Sequence, residues 1–217
     1  MTYSLNEVEA LAKKAARGAG MSWGLAEDAG KALRTLLEHG VDAVGPFTRL
    51  LTANDGADHA AIAPRAINSP WTAPGGILCP VATGTCLSDH AHDLDPDKET
   101  TIGHTAFPVF LIPFALAVAR ARAQTITLCW QGTTAHALTD GTLRIDGSDA
   151  AFLIPETDSI QCRVSATLSG RPTPHMTRAN MTDEDAACLN GLAHRTYAPA
   201  TEESRLSGAG AGLSDND

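Results

Sequence analysis

The densest grouping of chemistry-bearing side chains lies at the carboxy-terminal end. His194-Arg195-Thr196-Tyr197 leads to Thr201, Ser204 and Arg205, then to Gly208, Gly210 and Gly212. Arg195 and Arg205 each offer a planar fork of donors that fits a carboxylate or phosphate. His194 carries the one side chain there with an ordinary pKa near neutrality. It and the Tyr197 phenol are therefore the candidate proton donor and acceptor. Ser204 adds a hydroxyl, and the glycines permit close backbone approach. A dinucleotide fingerprint needs a strand before its glycines and a helix after them. This run meets neither condition, so no cofactor is implied. The plainer reading pairs Arg205 with Glu202 on a solvated turn ahead of a loose tail.

Arg17, Trp23 and Glu27 form a second group around a Gly-rich corner, Gly18 to Gly24. Trp23 and Glu27 are spaced to share a helix face, and Glu27 with Lys31 makes an i,i+4 ion pair of favourable order. A packed Trp anchor beside a surface ion pair is the structural reading. If the chain ends meet in space, Arg17, Trp23 and Glu27 instead wall a pocket opposite Arg195. Asp89-His90-Ala91-His92-Asp93 is the most metal-like run. It has no distant second ligand pair and reads as a solvated acidic loop, so no metal is assigned. Cys79 and Cys86 flank a small-residue segment, but no base is tied to them by spacing. They read as small buried hydrophobes.

Composition narrows the class. The 217 residues include 43% apolar and 19% charged side chains, enough for a packed core without staples. A net charge of -9 with scattered Lys and Arg argues against a nucleic-acid partner. Five cysteines without Cys-x-x-Cys spacing suit reduced thiols in the cytoplasm. The polar start has no apolar signal core, and the longest apolar stretch, Ala106 to Ala119, is short and holds two prolines. No membrane partner is expected.

The elements follow from periodicity. Ser4-Leu5-Asn6-Glu7 has capping-box spacing ahead of Leu5, Val8, Ala12, Ala15 and Ala19. A second helix is predicted from Ser22 to His39, with Trp23, Ala26, Gly30, Leu33 and Leu37 inward. Gly30 costs that helix about 1 kcal/mol unless another backbone comes close. A third has Pro46 in its first turn and buries Phe47, Leu50 and Leu51. Residues 54–76 form a long Pro-rich connection. Strands are predicted over Ile77 to Val81, Phe107 to Ile112, Thr125 to Trp130, Thr134 to Leu138 and Ile160 to Leu168. Hairpin turns fall at Gln131-Gly132 and Asp140-Gly141. A helix from Pro113 to Ala123 and another capped by Thr182 complete the set, with a short helix after Thr201. The class is α+β: N-terminal helices, a mainly antiparallel sheet, a C-terminal helix and a Gly-rich tail. A single domain, 1–217, is expected, with a helical subregion 1–53, a sheet-containing subregion 77–170 and the tail 206–217.

The stretch from Ser4 to Gly20 with Ser22 to Lys31, together with Arg195 to Arg205 and the Gly-Ala run, resembles a bacterial family of about this length whose function is unknown. The resemblance implies a stand-alone bacterial domain and carries no activity or catalytic residue with it.

Two functional expectations follow from the residues. One is a protein that binds or acts on a small anionic, carboxylate-bearing metabolite through Arg195, Arg205 and Ser204, with Arg17, Trp23 and Glu27 opposite. The other is a non-catalytic accessory subunit, homo-oligomeric or docked on a partner subunit through its tail.

Overall fold

The computed structural model describes residues 1–165 and 167–197. The expectations placed on Ala166, Thr201, Ser204, Arg205 and the 206–217 tail lie outside the described residues.

A short strand, β1 (Thr2–Ser4), runs into α1 (Leu5–Gly18). The Ser4 hydroxyl accepts from the Glu7 amide at 3.3 Å, and the Glu7 carboxylate accepts from the Ser4 amide at 2.8 Å. This is the reciprocal cap that the spacing predicts. Helix α2 (Trp23–Glu38) packs along α1, burying Ala26, Gly30, Leu33 and Leu37. A Cβ on Gly30 would lie 3.0 Å from the Glu9 carbonyl, so the glycine lets the two helix backbones come close. Trp23 departs from the predicted stripe: it is 63% exposed. It is the first residue after the Ser22 cap, where the helix has not yet turned its apolar face onto α1, and its ring stacks with Arg17 instead.

Helix α3 (Val44–Ala53) follows and buries Phe47, Leu50 and Leu51. The connection after it holds only α4 (His59–Ile62) and is tied down by Trp71. That side chain is 1% exposed, its indole N–H donates to the Ile67 carbonyl at 3.0 Å, and its backbone bridges to Ile102. Helix α5 (Pro80–Asp89) overrides the strand predicted over Ile77 to Val81. Pro80 suits the first helical position, which leaves Leu78 a single bridge to Thr105.

The second half alternates. β2 (Thr100–Ile102) and β3 (Thr105–Ala106) precede a 3-10 turn, Pro108–Leu111, that leads into α6 (Ile112–Arg122). Phe107 to Ile112 is thus not a strand. Pro108 to Ile112 are all buried, and a uniformly apolar run carries no period to separate strand from turn. Next come β4 (Ile126–Trp130), β5 (Thr133–Ala137), β6 (Leu143–Asp146), α7 (Asp149–Phe152), β7 (Glu156–Thr157) and β8 (Ile160–Val164). The chain ends its described part with β9 (Arg171–Pro172), β10 (Arg178–Asn180) and α8 (Asp183–His194).

Six strands make an antiparallel sheet in the order β2-β8-β4-β5-β6-β9. Gln131 and Gly132 join β4 to β5 with φ of 43° and 76°, the left-handed pair that a two-residue hairpin needs. The period-two pattern from Ile160 ends early: β8 stops at Val164, and Leu168 is 44% exposed. β1 pairs with β10, which ties the amino-terminal helices to the last third of the chain. The arrangement is α+β. No helix among the described residues is long and apolar enough to cross a membrane.

Candidate functional site

The predicted C-terminal residues sit where α8 meets α1. Thr182 caps α8, its hydroxyl accepting from the Asp185 amide at 3.0 Å, and Leu189, Leu192 and Ala193 face inward. His194 and Tyr197 meet edge-to-face with ring centres 5.2 Å apart, and the Lys14 ammonium of α1 lies 5.6 Å from the Tyr197 centroid. Arg195 points elsewhere, donating to Asp55 at 2.6 Å. Arg17 donates to the Met21 carbonyl at 2.9 Å and stacks 5.4 Å from the Trp23 ring. Glu27 is held by Lys31 at 2.9 Å and Lys13 at 3.2 Å, and these bonds, Lys31's first, keep its carboxyl below the usual range. The structure therefore brings α8 and the residues up to Tyr197 against α1. Yet Arg195 and Glu27 are engaged by protein partners, and Tyr197 is 54% exposed on an open surface.

The other sequence candidates are equally specific in their positions. His90 bonds Asp93 at 2.8 Å on a short 3-10 turn, and no three His, Cys, Asp or Glu side chains converge among the described residues. Cys79 is buried and its thiol is pushed up by loss of solvent; burial likewise pushes Cys162 up to about 12. Neither is a thiolate near neutral pH.

A better-formed hollow lies where α2 ends. His39 caps the helix, Gly40 turns back with φ of 70°, and Val41 donates to the Leu36 carbonyl at 2.9 Å. This left-handed exit carries the chain across the β6–β9 edge. The result is a cleft of about 190 Å³. One wall carries His39 and Asp42, the other Arg171 and Thr173, with Ile145 and Phe152 beneath. No spacing rule links these groups, because more than a hundred residues separate the two walls and only the packing of the α2 exit against the β9 side of the sheet brings them together.

The Thr173 hydroxyl suits one His39 tautomer. The Thr173 hydroxyl donates to the Leu143 carbonyl at 3.1 Å, so toward His39 Nδ1, 2.9 Å away, its oxygen accepts. Nδ1 then carries the proton. Nε2 keeps its lone pair, and no donor among the described residues reaches it. Burial, reinforced by His175 and Arg120 against the pull of Glu38, holds His39 below its ordinary pKa. Across the cleft Arg171 donates to Asp149 at 3.0 Å, with side chains 66% and 80% exposed. Such a pair is worth about 0–1 kcal/mol and yields readily to a competing carboxylate.

His136 is built on the same logic within the sheet. Its Nε2 accepts from the Ser169 amide at 3.2 Å, and its Nδ1 meets the Thr127 hydroxyl at 2.8 Å. Burial lowers its pKa too. Both imidazoles thus release protons in the fold more readily than at 6.5, the unfolded value. Below pH 6.5 the unfolded chain binds more protons, so this contribution is whole above 6.5 and declines as pH falls toward the folded values. Urea midpoints at pH 7.5 and 5.5 should show the decline, and a His39→Asn, His136→Gln double variant should flatten it. Paired carboxylates such as Glu27 act in a separate window, below the ordinary Glu value of 4.5.

No curated protein matches the chain. The crystal structure of malate dehydrogenase from Entamoeba histolytica superposes with a TM-score of 0.42 at 12% identity, over 78% of this chain and 50% of that one. The chain spans half the length of that structure, and a likeness at this level carries neither fold nor function across. Residues 3–77, which include the Ser4 to Lys31 stretch and stop well before Arg195, match a family described as "Protein of unknown function (DUF3726)".

Proposed function

We propose that this protein binds a small carboxylate-bearing metabolite in the cleft between the α2 exit and the β6–β9 edge. The observation that carries the reading is the exposed Arg171–Asp149 pair at the mouth of a hollow with an apolar floor. A guanidinium held by a weak, solvent-screened partner exchanges it for a ligand carboxylate at little cost. Enclosed apolar surface with a few convergent polar groups is the usual form of a metabolite site. His39, with its free Nε2, is the group that would exchange a proton with the ligand, should chemistry follow binding.

Thermal shift against a panel of carboxylates tests this. A ligand at a hundred times its Kd stabilises by about 2.7 kcal/mol, a readily measured rise in Tm. Arg171→Ala should abolish the response. Asp149→Asn, which removes the internal competitor, should tighten binding by up to about fivefold. A response that survives Arg171→Ala unchanged would refute the site.

A second reading is an accessory or assembly subunit. It is supported by the exposed Trp23 and Tyr197, each stacked with a cation from α1, since Trp, Tyr and Arg dominate binding hot spots. No ligand response, together with a light-scattering mass above one chain, would favour it.

A further inference from the structure

We propose that the ligand of this cleft is a zwitterion, an α-amino acid with an apolar side chain, rather than a carboxylate alone. The inference rests on the carboxylate-binding reading above and adds the ligand's second charge and its third group.

The cleft has more anionic than cationic side chains. Arg171 is its one guanidinium, and Asp149 and Asp42 are its two carboxylates. Arg171 and Asp149 cancel each other at 3.0 Å, which leaves Asp42 as surplus negative charge. Among the described residues no Lys, Arg or His makes an ion pair with Asp42. His39 does not balance it either, because its second nitrogen offers a lone pair rather than a proton. A bare carboxylate ligand would satisfy Arg171 and offer no donor of its own to Asp42 or to His39 Nε2. It would also enter a lining of net negative charge.

An ammonium group resolves both mismatches. It has three N–H donors and a positive charge, so one group can donate to the Asp42 carboxylate and to His39 Nε2. The carboxylate on the neighbouring carbon takes the guanidinium that Asp149 gives up. Ile145 and Phe152, 7% and 2% exposed, then provide an apolar floor for the side chain.

Isothermal titration at pH 7.5 with L-leucine, 4-methylpentanoate and 3-methylbutylamine separates the contributions, since the last two each lack one charged group. Leucine should bind at least about tenfold more tightly than either, as charge-assisted hydrogen bonds require. Asp42→Asn, a change at an exposed position, should remove that preference while leaving 4-methylpentanoate affinity equal or improved. Equal binding of leucine and 4-methylpentanoate, with both lost in Arg171→Ala, would overturn the amino-acid assignment and leave carboxylate binding intact. Failure of apolar amino acids and of the whole carboxylate panel would overturn both.

Discussion

Replacing Gly18 with alanine should lower stability by about 2–3 kcal/mol, read as a fall in the urea midpoint without a change in slope. A Cβ there would lie 1.8 Å from the Leu192 carbonyl oxygen and 2.7 Å from its carbon. The obstacle is helix backbone, so no rotamer change relieves it; α1 and α8 must move apart. Alanine's better helix propensity recovers at most about 1 kcal/mol, and less at a helix end. Gly24→Ala is the control, because nothing stands within 4 Å of its Cβ position. That variant should be neutral or slightly more stable. The Gly18 variant should also disturb the stacking of Lys14 on Tyr197, which depends on the same approach of the two helices. If Gly18→Ala matched the wild type in urea, the close contact between the chain's first and last described helices would be refuted.

Phe152→Ala should cost about 3–5 kcal/mol, the usual range for removing a buried ring. Phe152 is 2% exposed and meets Trp130 edge-on, with ring centres 5.3 Å apart. The Trp130 indole N–H donates to the Ala151 carbonyl at 3.3 Å, so the pair fastens α7 to the sheet. Phe152 also floors the cleft and sits next to Leu153 on the same lining. Truncation therefore opens the hollow downward while loosening Asp149, which lies on the same short helix. Phe152→Leu keeps most of the volume and should lose less than about 1.5 kcal/mol. In that folded variant, apolar amino acids should bind more weakly while the Arg171-dependent carboxylate contribution persists. A loss confined to stability, with ligand affinity untouched in Phe152→Leu, would remove the floor from the site.

Legibility in the chain was uneven, for physical reasons. The Ser4–Glu7 box, the Ala-rich stripe of α1 and the Gln131-Gly132 hairpin each depend on neighbours within a few residues. Local spacing suffices for those. Trp23 was misplaced because a helix's first residue shares its periodicity but not its burial. Pro80 and Pro108 stand where apolar runs suggest strands, and their fixed φ and missing donors redirected both segments. The clustering of Arg, His and Tyr at the carboxy-terminal end drew attention to Arg195. A single Asp55 contact across the fold engages that guanidinium.

What the residues alone determined was helices α1, α2, α3, α6 and α8, the β4–β5 hairpin and the mixed α+β class, because capping, turn chemistry and apolar period act over one or two turns of chain. Which polar groups share a hollow was decided only by tertiary structure. The left-handed exit at Gly40 and the pairing of β6 with β9 carry His39 and Asp42 to Arg171 and Thr173. Those contacts span most of the chain. Their geometry follows from how the sheet edge packs against the end of α2, a long-range outcome that no local pattern encodes.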